Sequence, residues 1–216
     1  IGSLDMIRTT ALAVLLAASL PVLATEQAKA KPDLAKAKEI AEGVCVACHG
    51  ADGNSPAAAN PIIAGQLPEY LYKQLSNFKS IDGKPPVRNN AIMGGMVAAL
   101  SDEDMRALAL YFAQQKIKPS VAKEEKLLVD GKSLWRMGDF SKGVPACAGC
   151  HGPAGAGLPS QYPRLAGQYA EYTAVQLKSF RSHERANDSE KMMRVIAGKL
   201  SDHQINAVAE YAAGLR

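Results

Sequence analysis

At 216 residues, 47% of them hydrophobic, the chain is long enough to bury one large or two small cores. Its 25 Lys and Arg stand against 21 Asp and Glu and are scattered along the sequence, which excludes the polycationic surface of a nucleic-acid-binding protein. Beyond the N-terminal segment no apolar run approaches the ~20 residues that a bilayer span needs, so the mature chain is expected to be soluble.

Met6-Ile7-Arg8 reads as the start of translation, with residues 1–5 upstream of it. One basic residue, a short apolar run over Ala11–Leu20, then Pro21 and Val22-Leu23-Ala24 form the pattern of a bacterial secretory signal peptide. Cleavage is expected after Ala24, with Ala28 and Ala30 as secondary sites. Residues 1–24 are therefore set aside, and export to the periplasm is expected.

Asp33–Glu42 reads as a short helix with Asp33 as its N-cap and Gly43 just past its end. Cys45-Val46-Ala47-Cys48-His49 follows, and the same Cys-x-x-Cys-His pattern returns at Cys147-Ala148-Gly149-Cys150-His151; these are all four cysteines of the chain. Two thiols at this spacing can each add to one vinyl group of a porphyrin, and the next residue holds an imidazole under the iron. This is the attachment pattern of c-type haem. A zinc ribbon needs its cysteine pairs roughly 15–20 residues apart. A redox dithiol or a local disulfide explains neither histidine. Two haem c groups are expected, on Cys45 and Cys48 and on Cys147 and Cys150.

After a loop rich in Gly, Asn and Pro, Glu69–Phe78 reads as a helix with Leu71, Leu75 and Phe78 on one face. Ser101-Asp102-Glu103-Asp104 opens another, with Met105, Leu108, Ala109 and Phe112 as its apolar face. Lys116–Ala122, interrupted by Pro119, reads as a linker. The second half then repeats the first. Pro61-Ile62-Ile63-Ala64-Gly65-Gln66 returns as Pro163-Arg164-Leu165-Ala166-Gly167-Gln168, and Glu69-Tyr70, Gln74-Leu75 and Phe78 return as Glu171-Tyr172, Gln176-Leu177 and Phe180. Past that point a two-residue deletion shifts the register, so that Leu100-Ser101-Asp102 returns as Leu200-Ser201-Asp202. Helices are therefore expected over Glu171–Phe180 and Ser201–Ala213. A repeat of this length is domain-sized. The chain is expected to be all-α, with two homologous domains over residues 25–118 and 119–216. Helical domains this small have thin cores, which a buried porphyrin would fill.

The repeat also narrows the second axial ligand, for which His, Met and an open position are the choices. His183 and His203 face Ile81 and Glu103 in the other copy and form no matching pair. Met93 faces Met193, whereas Met96 faces Ile196 and Met192 faces Ile92. Symmetric sites therefore favour His49 with Met93 and His151 with Met193 on iron, Met96 and Met192 being the neighbouring alternatives. Such six-coordinate irons transfer electrons without binding a small substrate.

These segments together, with Leu100-Ser101-Asp102-Glu103-Asp104-Met105, resemble the cytochrome c4 family of dihaem cytochromes over the whole mature chain. The resemblance implies two cytochrome c-type folds facing each other, each wrapped around a covalently bound haem, with the propionates near the interface. It implies periplasmic electron transfer between respiratory-chain protein partners, from a donor complex towards a terminal oxidase, with loose membrane association and no small-molecule substrate. The family's ligands fall on His49, Met93, His151 and Met193, and Pro61 and Pro163 would offer carbonyls to the proximal histidines. Ile62-Ile63 departs from the basic residue and Leu common in the family. The alternatives are a cytochrome subunit of a flavocytochrome dehydrogenase and a dihaem peroxidase; the latter needs a five-coordinate iron that matched methionines do not leave.

Overall fold

The computed structural model describes residues 31–216; the start at Met6, the secretory leader and its cleavage site lie outside the described residues. Asp33 caps α1 (Leu34–Ile40), its carboxylate accepting from the Ala35 and Lys36 N–H groups at 3.1 and 3.0 Å. The helix does not stop at Gly43 as expected. It continues through a π-helical turn, Ala41–Cys45, into α2 (Val46–His49). The left-handed glycine that ends it is Gly50, at φ 72°, where a Cβ would lie 2.7 Å from the Asn54 carbonyl oxygen.

α3 (Pro68–Phe78) starts on a proline at its first position, where the missing N–H costs nothing. Leu71 and Phe78 are buried on it, with Leu75 packed beside them. A short α4 (Ala91–Val97) follows, capped by Asn90. The capping box at α5 (Asp102–Ala113) is closed in both directions: Ser101 Oγ accepts from Asp104 N–H and the Asp104 carboxylate from Ser101 N–H, both at 3.1 Å. Its four expected apolar residues are all buried. Ala37 of α1 and Ala41 of the π-helical turn join Leu71, Leu108 and Phe112 in the first core.

The second half comprises α6 (Glu125–Met137), α7 (Ala148–His151), α8 (Ala170–Arg181), α9 (Met192–Gly198) and α10 (Asp202–Gly214), the last with a Ser201–Gln204 capping box. Its core is built from Leu134, Trp135, Val144, Leu200, Ile205, Val208 and Ala212. Where α6 crosses α10 the helices touch at the backbone: a Cβ on Gly131 would stand 2.1 Å from the Ala207 carbonyl oxygen. The described residues hold no β-strand beyond isolated bridges, and none of their helices is long and apolar enough to cross a membrane.

Residues 32–216 pack as one unit. The linker is tied to both halves. Asn54 donates to the Lys116 carbonyl and accepts from Lys118 N–H at 3.0 and 2.7 Å, and Ser120 N–H reaches the Gly167 carbonyl at 2.8 Å.

Candidate haem sites

Each Cys-x-x-Cys-His motif ends on a histidine whose side chain the surrounding chain fixes. His49 and His151 are 8% and 7% exposed. Their Nδ1 atoms lie 3.0 and 2.9 Å from the carbonyl oxygens of Pro61 and Pro163. A carbonyl only accepts, so Nδ1 carries the proton and Nε2 keeps its lone pair. Burial pushes both imidazoles below the usual histidine range, and the proline carbonyl offsets only part of this. Two neutral imidazoles, each oriented by a backbone acceptor, form a donor set suited to iron.

All four thiols are free for covalent attachment. Cys45, Cys147 and Cys150 are half-buried, Cys48 is exposed, and none is in a disulfide. Burial pushes the Cys45 thiol up and that of Cys147 to about 11. The donor chemistry at both motifs therefore fits haem c. Met93 lies on α4 and Met193 on α9, both half-buried, as is Met192; Met96 is 45% exposed. Met93 N–H is held by the Asn90 side chain at 2.9 Å. His183 is exposed, and exposed His203 pairs with Asp130 at 2.7 Å.

The boundary between the halves carries polar groups that motif reading passes over. Gln66 and Gln168 each reach across it. Gln66 exchanges two hydrogen bonds with the Arg164 backbone at 2.8 and 2.9 Å, and Gln168 two with the Ile62 backbone at 3.0 and 2.8 Å. Beyond them lies a pair of arginines. Arg88 stacks over Phe78 at 4.6 Å and Arg185 over Phe180 at 4.5 Å. The Arg88 N–H bonds the Asn77 carbonyl, and the Arg185 N–H bonds the Ser179 carbonyl. Both guanidinium groups donate to Gln74 and to Gln176, one from each half, and Arg185 also to Tyr70 and Asn187. Neither has a carboxylate within ion-pair distance among the described residues. Burial alone would raise the Tyr70 phenol, but Arg185 and Arg88 beside it bring it below the usual tyrosine range. The repeated Gln66/Gln168, Tyr70/Tyr172 and Gln74/Gln176 were a readable signal of this boundary. The arginines were not, because they stand 97 positions apart, in neither register of the repeat.

The cytochrome c family profile matches the chain twice, over residues 34–116 and 128–215. The class is thereby defined: two cytochrome c domains in one chain, each binding a haem c. Cytochrome c4 of Pseudomonas aeruginosa is 45% identical over 183 residues, 84% of this chain and 88% of that protein. The structure of reduced cytochrome c4 from Pseudomonas stutzeri superposes with a TM-score of 0.80 at 40% identity, over 86% of this chain and all of that one. The chain belongs to the cytochrome c4 family of dihaem electron carriers. It is also 40% identical to the thiosulfate dehydrogenase electron acceptor of Thiomonas intermedia, over 78% of this chain and 77% of that protein.

Proposed function

We propose that the chain is a periplasmic carrier of single electrons between respiratory partners, a donor complex on one side and a terminal oxidase on the other. In this reading Cys45 and Cys48 hold the first porphyrin and Cys147 and Cys150 the second. His49 and Met93 ligate the first iron, and His151 and Met193 the second. The observation that carries it is the duplicated buried imidazole, made neutral by burial and aimed by a proline carbonyl.

Bound haem supplies a one-electron iron couple whose potential a thioether ligand raises. The protein does the rest. The proline carbonyls hold the imidazoles in one tautomer and orientation. The guanidinium groups of Arg88 and Arg185 at the domain boundary have no carboxylate within ion-pair distance among the described residues, and their positive charge would favour haem propionates placed near it. With His49 and Met93 on one iron and His151 and Met193 on the other, peroxide would find no open ligand position, and the chain would hand on electrons and turn over no small substrate.

Redox titration of the visible spectrum of the holoprotein tests the ligand set. The expected result is two low-spin His/Met haems; a high-spin five-coordinate haem with peroxidase turnover would overturn it. A second reading is supported by the thiosulfate dehydrogenase electron acceptor relative: the donor is a thiosulfate dehydrogenase. Stopped-flow reduction of the oxidised holoprotein by purified thiosulfate dehydrogenase, set against reduction by a membrane quinol-oxidising complex, separates the two. The faster donor at equal concentration identifies the reading that stands.

A further inference from the structure

The peptide that orients each proximal histidine is gripped from the other domain. His49 Nδ1–H donates to the Pro61 carbonyl at 3.0 Å. The N–H of that same peptide unit belongs to Ile62, and it donates to Gln168 Oε1, also at 3.0 Å. Gln168 Nε2 closes the ring on the Ile62 carbonyl at 2.8 Å, and Ile62 is 4% exposed. The mirror arrangement runs from His151 through Pro163 to the Arg164 N–H, which donates to Gln66 Oε1 at 2.8 Å, while Gln66 Nε2 donates to the Arg164 carbonyl at 2.9 Å. Each glutamine oxygen also accepts the N–H of the next residue in its own chain segment, Leu67 or Tyr169, at 3.0 Å. Both amides are thereby held in one orientation.

We propose that Gln168 and Gln66 are positioning residues for the proximal histidine of the opposite domain, so that each domain sets the iron-donor strength of its partner's imidazole. An acceptor on the Ile62 N–H polarises the Pro61–Ile62 peptide and makes its carbonyl oxygen more negative. Chained hydrogen bonds strengthen one another by about 10–30%. A more negative carbonyl draws the Nδ1 proton of His49 harder, and the imidazole becomes a better donor at Nε2. A better donor favours ferric iron and lowers the potential. Losing the glutamine should therefore raise it, and in the other domain.

The inference rests on His49 and His151 being the proximal ligands. It is tested on the holoprotein with Gln168→Met and Gln66→Met, which keep side-chain length and remove both hydrogen bonds to the other domain. Gln168→Met should raise the reduced-to-oxidised ratio of the first haem at fixed poise about two- to threefold and leave the second nearly unmoved. Gln66→Met should do the reverse. In the reduced, diamagnetic protein the Nδ1–H proton resonance of His49 should move upfield in the first variant, and that of His151 in the second. Shifts of equal size on both haems, shifts on the variant's own domain, or unchanged potentials would each overturn the crossed tuning. Should Gln168→Met fail to mature, Gln66→Met decides alone, because its contact with Arg164 is only half-buried. A native spectrum without low-spin histidine-ligated haem would sink the ligand assignment; uncrossed shifts with that spectrum intact sink only this inference.

Discussion

The two Cys-x-x-Cys-His motifs reach the same local geometry by different routes. In the first domain a helical path runs from Leu34 through a π-helical turn to His49. In the second, α6 ends at Met137, and a loop bridged at Asp139 and Val144 intervenes before α7. Gly138, at φ 75°, starts that loop, and a Cβ there would stand 2.3 Å from the Val144 carbonyl oxygen. Yet both motifs close on a left-handed glycine, Gly50 or Gly152, and both histidines meet a proline carbonyl within 0.1 Å of the same distance. What the two halves share is what the proposed iron ligands would demand: a fixed tautomer, burial and a fixed ring plane. The approach to the motif is free to diverge.

The strongest way to break this symmetry is to remove one of the two proposed sulfur ligands. Met93→Ala and Met193→Ala should each abolish one low-spin His/Met site, with the near-infrared sulfur-to-iron band falling by about half, by the logic of one thioether per haem. Met96→Ala and Met192→Ala should leave the band intact. Its loss in Met96→Ala instead would reassign the first site.

A helix-crossing variant comes next. Gly131→Ala forces a methyl into the Ala207 carbonyl and should destabilise the second domain by about 1–3 kcal/mol, the usual cost of overpacking. Gly43, in the π-helical turn of the first domain, meets nothing within 4 Å. Gly43→Ala should stabilise by about 0.4–1 kcal/mol through the unfolded chain. Urea unfolding of the two holoprotein variants gives both numbers; destabilisation by Gly43→Ala would show that the turn needs its glycine.

How much of this was legible follows the physics of each signal. Caps are local, so Asp33, Ser101 and Ser201 could be read directly, and they cap α1, α5 and α10. Amphipathic faces on α3 and α5 are periodic and equally readable. α4 and α9 are seven residues each, and Gly94-Gly95 interrupts the pattern of the first, so the stretch that carries Met93 gives no helix signal in the sequence. Gly43 looked like a stop because a glycine after a helix usually supplies a left-handed turn; here it has no positive φ and the helical path runs on. The arginine pair was hidden by compensating loop changes. Arg88 stands ten positions after Phe78 but Arg185 only five after Phe180, and Met93 stands five positions after Arg88 but Met193 eight after Arg185. What reads as a two-residue deletion is a shortening and a lengthening on either side of a residue held in the same place by tertiary contacts.

Charge should make the two haems unequal. Arg164 follows the proline that orients His151, where the first domain has Ile62, and Asp52 stands where the second has Ala154. A nearby cation favours the reduced, more negative haem, and a carboxylate opposes it. The second haem is therefore expected at the higher potential. The gap should be on the order of 1 kcal/mol, the interaction of unit charges roughly 10–15 Å apart at an effective dielectric constant near 20. Potentiometric titration with each haem assigned measures the order. Arg164→Leu should lower the second haem and narrow the gap, and an unchanged gap would place the asymmetry elsewhere.

The smallest expected difference lies beside the motifs, in the acid range. Asp52 bonds Lys118 of the linker at 2.8 Å, and its other oxygen accepts from Asn54 N–H at 3.1 Å. The Lys118 ammonium, with Asn54 adding to it, holds the carboxyl down at about 2 against an ordinary 3.8. A carboxyl depressed on folding contributes stability that is fully present above its unfolded value and is lost as pH falls through the folded one. The window is therefore between about pH 4 and pH 2. The pair is solvent-exposed, so the contribution is at most a fraction of about 1 kcal/mol and shrinks with salt. The Asn54 amide resonance should titrate with a midpoint near 2, and Asp52→Asn should abolish that titration. The second domain carries Ala154 and Ala156 at these places, so the Ala156 amide should show no such step. A midpoint for Asn54 close to 3.8 would mean that Lys118 is not held at the first motif in solution, and that the linker is tied to the first domain by Asn54 alone.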